Sequence, residues 1–232
     1  MNDNAKKRRW YSKTGIIVII CVAGFGGSIL IPTVVNVTYS TSTPWAQIHL
    51  GEIAKTYLTF SYNGSTFHQL KANPEDTAHK AAYILAKYAG LNDASIYFIK
   101  SDARAPKNPP KQILFNSEYV GSPPALNPEF MKSVLSFEIV ANLPRDAPPT
   151  TTPIAWERGL REDGTWAPDS PWGGGGHIAY LDGHVEWADK LTLDGECFTT
   201  YPTRPNGGKP TVNIREALPP GAVILSAEPN KK

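Results

Sequence analysis

The sequence predicts an α+β fold, in which an amino-terminal transmembrane helix continues into an external helix packed on a small antiparallel sheet with a carboxy-terminal β-hairpin. Three observations predict it. An uncharged apolar run, Gly15 to Val37, follows a basic tail; two segments beyond it carry apolar residues at helical spacing; and two alternating runs flank Asp182-Gly183.

The apolar run is long enough to cross a hydrocarbon core at about 1.5 Å per residue. Ahead of it stand Lys6, Lys7, Arg8, Arg9 and Lys13 against the single acid Asp3, so residues 1–14 carry a net charge of +4. The rest of the chain has 18 basic and 20 acidic side chains and is therefore slightly acidic. The high overall pI belongs to the tail and does not point to nucleic acid. A basic tail before an apolar run is held on the cytoplasmic side while the larger part crosses. The expected organisation is a cytoplasmic tail over 1–14, a transmembrane helix over 15–37 and an external domain over 38–232. A cleaved signal peptide is the rival reading, but its apolar segment is usually about 7–15 residues long. Residues 36–44 also make a poor small-residue cleavage site.

Gly24, Gly26 and Gly27, with Gly15 and Ser28, leave a low face where a second helix could approach, and Pro32 should bend or unwind the outer end. After the polar link Thr38 to Thr43, Pro44 sits where a helix can begin. Trp45, Ile48, Ile53, Ala54 and Tyr57 then follow at mostly helical spacing up to the stop Tyr62-Asn63-Gly64. A second helix is predicted from Ala78 to Tyr88, capped by Asp76 or Thr77, striped by Ala81, Ala82, Leu85, Ala86 and Tyr88, and ended by Gly90. His79 lies on it without a second ligand four residues away, and reads as a packing or surface residue.

Ser95 to Lys100 reads as a short strand, Phe130 to Ile139 as helix or strand, and Ile154 to Arg158 as a strand. Next come His177 to Leu181 and His184 to Trp187 on either side of Asp182-Gly183, a pair that accepts left-handed turn dihedrals. A two-residue turn would set Leu181 opposite His184, Tyr180 opposite Val185 and Ile178 opposite Trp187. Those last two pairs would form an apolar ladder, with His177, His184 and Glu186 on the other face. Beyond Leu191 the chain extends past the hairpin, with Val212 to Ile214 and Ala222 to Leu225 as further strands.

Chemistry-bearing residues are sparse. Across such a hairpin His177 and His184 are too far apart to share a zinc ion. Asp182, Asp189 and Asp194 offer the oxygen ligands that a calcium ion would need. The Gly173 to Gly176 run lacks the Lys-Ser or Lys-Thr ending of a phosphate loop, and Asp163, Thr165 and Asp169 miss the spacing of a hand-type calcium loop. No Gly-x-Ser-x-Gly elbow is present, so no catalytic residue is assigned. Trp156, Trp166, Trp172 and Trp187 crowd one third of the chain, either as packing or as a ligand surface. Asn36 and Asn63 begin glycosylation acceptor triplets. Cys21 lies in the apolar run and Cys197 far outside it, so Cys197 is expected to be a free thiol or to pair between molecules.

Thr152-Pro153-Ile154-Ala155-Trp156, Gly164-Thr165-Trp166, Pro171-Trp172 and above all Gly174-Gly175-Gly176-His177-Ile178-Ala179-Tyr180-Leu181-Asp182-Gly183-His184-Val185-Glu186-Trp187 resemble the closing part of bacterial type IV pilin-like and type II secretion pseudopilin-like proteins of the planctomycete and verrucomicrobial type. The resemblance implies a non-enzymatic subunit without cofactors. It would be a single-pass protein of the bacterial inner membrane whose first helix packs with other pilin-like subunits in a filament core. It implies no nucleic-acid partner. Aligning Pro32 with the family's proline puts the processing junction between Trp10 and Tyr11, with Trp10 where the family has Gly and Gly15 where it has Glu. The alternative is a membrane-tethered binding module that shows its tryptophan-rich loops to a glycan or protein: exposed Trp166 and Trp172 rings would favour it, buried rings a structural part.

Overall fold

The computed structural model describes residues 45–115 and 124–229. The basic tail, the run 15–37 and the junction Trp10-Tyr11 lie outside the described residues. Among the described residues no helix is long and apolar enough to cross a membrane.

Helix α1 is described over residues 45–61 and buries Ala46, Leu50, Ile53, Ala54 and Tyr57 completely or nearly so. It ends where expected, because Tyr62–Asn63 (β1) turns through Gly64, at φ +62°, to pair with Thr66–Phe67 (β2). Helix α2, Ala78–Ala89, starts after Thr77 and stops at Gly90, whose φ of 79° is left-handed. Three residues of the expected stripes are turned out: Trp45 is 63% exposed, Ile48 50% and Tyr88 63%.

Asp93 overrides the strand expected at Ser95 to Lys100. Its carboxylate accepts the Ser95 amide at 2.9 Å and starts a 3₁₀ turn, Ala94–Tyr97, instead. Short strands Leu114–Phe115 (β3) and Ala125–Leu126 (β4) pair next. The ambiguous segment then divides. Asn127 caps and Pro128 opens the short helix α3, Pro128–Lys132, and Phe137–Ala141 follows as β5. Pro153–Glu157 is β6, Gly176–Tyr180 is β7 and Val185–Ala188 is β8. Phe198–Thr199 (β9) and Pro210–Thr211 (β10) make a small pair, and Asn213 caps the turn of helix α4, Ile214–Ala217, which replaces the strand expected there. Val223–Leu225, the last expected strand, is β11.

The fold is α+β, with one five-stranded antiparallel sheet in the order β11-β5-β6-β7-β8. Every residue of β6 and β7 is buried, as befits its central strands. Helix α1 crosses the β7–β8 hairpin: an added methyl at Gly51 would touch Val185 at 3.9 Å, and one at Gly183 would touch Leu58 at 3.6 Å. The region after Leu191 does more than trail past the hairpin, since β11 closes the opposite edge of the same sheet against β5. Its next residue, Ser226, accepts the Ala78 amide at 2.9 Å and so holds the start of α2.

The hairpin register is one residue away from the expected one. His177 pairs with Trp187, Ile178 with Glu186 and Ala179 with Val185, leaving the three-residue loop 181–183 between Tyr180 and His184. A two-residue type I′ turn needs positive φ at both central residues, and here only Gly183, at +91°, has it. The loop is also tied elsewhere. Leu181 is buried, its amide donates to Thr152 O at 2.9 Å, and the Asp182 amide donates to Pro149 O at 3.0 Å. Trp187 therefore shares a face with His177, not with Ile178.

Candidate functional site

Two polar centres lie along the hairpin, one closed and one open. In the closed one, His177 and Glu157 are side by side on neighbouring strands, and His177 Nδ1 meets Glu157 Oε1 at 2.7 Å with both side chains essentially inaccessible. The His177 ring lies edge-on to Trp187 at 4.9 Å between centroids and to Trp172 at 6.5 Å. Burial pushes the Glu157 carboxyl up, and the bond from His177 opposes that shift. Glu157 Oε2 and the indole N–H groups of Trp166 and Trp172 are buried without a protein partner.

The glycine run makes this enclosure. A methyl at Gly176 would fall 2.5 Å and 2.6 Å from Trp166 ring carbons and 3.0 Å from Glu157 Oε2, and one at Gly175 would fall 2.7 Å from Trp187. These glycines serve close approach of backbone to ring and not a special dihedral. Trp166 is buried and Trp172 partly covered, so the tryptophan loops are turned into the molecule.

The open centre is the hairpin tip. His184 stacks on Tyr180 at 4.3 Å and 8°, its Nδ1 bonds Asp182 Oδ1, and its Nε2 stands 3.6 Å from Glu186 Oε1. Partial burial works to raise the Asp182 carboxyl, but the amide and ring of His184 outweigh it and hold the group below the usual carboxylate range. Burial, and then the charge of Glu186, push the Tyr180 phenol up. His177 and His184 stay apart, as the sequence spacing implies.

Of the three carboxylates offered to calcium, Asp182 is bonded to His184 and Asp189 accepts Trp187 Nε1 at 2.7 Å, while Asp194 lies in an exposed turn. The fold does not gather them: among the described residues no three His, Cys, Asp or Glu side chains converge as metal ligands. His79 is a packing residue, buried with Nδ1 on the Thr77 hydroxyl at 3.1 Å and Nε2 on Ser133 O at 3.0 Å. Cys197 is a free thiol.

The chain matches no family model, no curated protein and no solved structure.

Sequence reading misses a third polar group beneath the sheet. Arg158, at the end of β6, forms a two-pronged pair with Asp102: Nη2 binds Oδ1, and Nε binds Oδ2 at 3.1 Å. The Ser136 hydroxyl donates to the same Asp102 Oδ2 at 2.9 Å and accepts the Ile99 amide at 2.9 Å. Asp169 then joins Arg158, at 3.3 Å, to Arg104, which reaches Glu228. A charged residue directly after an apolar strand is the one sequence signal of it, and such a residue is usually solvated.

Glu138 on β5 accepts Trp156 Nε1 at 2.7 Å. Burial pushes its carboxyl up to about 7, against the Trp156 bond and the charges of Arg215 and Arg158 and with that of Glu228. An acid held protonated in the fold but ionised when unfolded stabilises the fold at low pH and loses that effect as pH rises. Between pH 4.5 and about 7 its contribution should decline by on the order of 2 kcal/mol, allowing for partial exposure. Glu138→Gln, which keeps an acceptor for Trp156, should remove this slope. Urea titrations of both proteins across that range check it, and parallel pH profiles would refute it.

Proposed function

We propose that the protein is a membrane-anchored, non-enzymatic structural subunit of the pilin-like type, standing in the inner membrane by residues 15–37 and joining like subunits through its first helix. The observation that carries this reading is the placement of α1. Helical over the described residues 45–61, on the carboxy-terminal side of the apolar run, it is the element against which the hairpin packs, with five side chains sealed in the core. Trp45, 63% exposed, places on that helix a side chain favoured at membrane–water boundaries. The polar residues of the hairpin also favour a structural part, because His177 and Glu157 are spent on each other inside a wall of tryptophan. The inward Trp166 weighs against a ligand surface on those loops.

The test is the amino-terminal sequence and intact mass of the protein from its native membrane fraction. A chain starting at Tyr11 is the expected result for a subunit that enters a filament. A full-length chain would restrict the reading to a permanent anchor, and a start between Thr38 and Pro44 would overturn the anchor.

A further inference from the structure

We infer that the aromatic trough at the carboxy-terminal ends of α1 and α2 binds an acidic polysaccharide, taking uronate-type sugar residues on its exposed rings. The trough is an open concavity of about 660 Å³ lined by Phe60, Phe67, His68, Gln69, Lys71 and Tyr88. That volume falls in the range of about 300–1,000 Å³ usual for ligand sites. Within it the Phe60 ring lies 6.1 Å from that of His68 and 6.3 Å from that of Tyr88, inclined to them by 41° and 43°.

Tyr88 is the decisive residue. The helical stripe would carry it inward, yet it stands 63% exposed, with Lys87 Nζ 5.0 Å from its ring centroid. A large aromatic face held outward beside a cation presents both surfaces an acidic sugar offers partners for: the ring takes the apolar C–H face, and the ammonium takes the carboxylate. Among the described residues no Asp or Glu lines the trough, and neither Lys71 nor Lys87 has a carboxylate partner. This cationic spot sits on a chain whose residues after the tail are acidic on balance, which disfavours the broad positive field that nucleic acid requires.

The polar edge suits hydroxyl groups. Gln69 Nε2 is fixed on Leu143 O at 3.0 Å, which orients the side chain and leaves its carbonyl oxygen to accept. The segment is held in place, since the His68 amide donates to Ser61 O at 2.9 Å and the Tyr62 and Phe67 rings pack at 5.3 Å. Phe60 lies about 22 Å along α1 from Trp45, so the trough is at the far end of the helix from the point where the chain enters the domain. A protein partner would need a standard interface of about 800 Å² on each side, more than this concavity provides.

The experiment uses the full-length protein in detergent and titrates it with oligogalacturonate, with a neutral cello-oligosaccharide of the same length and with polyglutamate, read by calorimetry. Saturable binding of oligogalacturonate, at least about tenfold tighter than either control, is expected. Tyr88→Ala and Lys71→Glu should each weaken it about tenfold, a change of about 1.4 kcal/mol. Both residues are exposed, and unchanged circular dichroism and melting would certify the fold of each variant. Absence of saturable binding, equal affinity for the neutral sugar or polyglutamate, or indifference to Tyr88→Ala would each overturn the inference. It does not rest on the membrane anchor: an anchored chain that binds no uronate would leave the structural reading standing, and an unanchored chain that binds would leave the trough standing.

Discussion

Replacing Arg158 with methionine is expected to lower the stability of the domain by roughly 3–5 kcal/mol, because it strands a buried carboxylate. The Asp102 side chain is fully inaccessible, and among the described residues it is met, besides Arg158, only by the Ser136 hydroxyl and the Arg104 amide. Two neutral donors do not compensate a full charge in a medium of low polarity. The effect should spread, since Asp102 ties the segment after the 3₁₀ turn to the ends of β5 and β6. For a domain of this size the melting temperature should fall by roughly 10 °C. Urea unfolding and thermal melts measure it. Adding Asp102→Leu to Arg158→Met should restore much of the loss, since no unpaired charge is then left inside. A single variant costing under about 1 kcal/mol, with no recovery in the double, would show the pair to be solvated and the account wrong.

His177→Ala should come next in size, at roughly 3 kcal/mol or more near neutral pH, from a lost ring contact and an orphaned Glu157. Its pH dependence is the diagnostic part. Burial already raises the Glu157 carboxyl, and losing the His177 bond raises it further. A raised acid destabilises the ionised fold increasingly as pH climbs above its unfolded value, so the penalty should be larger at pH 8 than at pH 5. His177→Asn, whose amide can still donate to Glu157, should recover part of the difference. If the penalty is flat with pH, the histidine contributes packing alone. Emission from Trp172 and Trp187, both edge-on to the histidine ring, gives an independent readout of the same site.

Local rules made much of the scaffold legible. Both main helices end within a residue or two of expectation, because Gly90 and the Tyr62-Asn63-Gly64 turn are stops set by backbone sterics alone. The failures come from tertiary contacts. Asp182-Gly183 signals a hairpin correctly but the wrong register, because the burial of Leu181 and the amides given to Thr152 and Pro149 decide the loop. Asp93 and Asn213 turn two apolar stretches into short helical turns through one side-chain bond each. The buried Glu157 and Arg158 were not legible, since a charged pair at a strand end reads as surface until its partners, 20 and 56 residues away, are placed. The trough escaped for the opposite reason: Tyr88 fits an inward stripe, yet it stands exposed.

The closing of the sheet by β11 also governs how the chain must fold in time. Its partner β5 lies about 80 residues earlier, and the bridge from Ser226 to Thr77 spans about 150. Such pairings bring little reward until a long stretch of chain has been brought together, so high contact order should make folding slow. A chain made from its amino terminus presents β5 as an open, apolar edge until residue 225 arrives, and an open edge invites pairing with other chains. Strand β11 therefore acts as the domain's guard against association during synthesis, a duty finished only when it is in place.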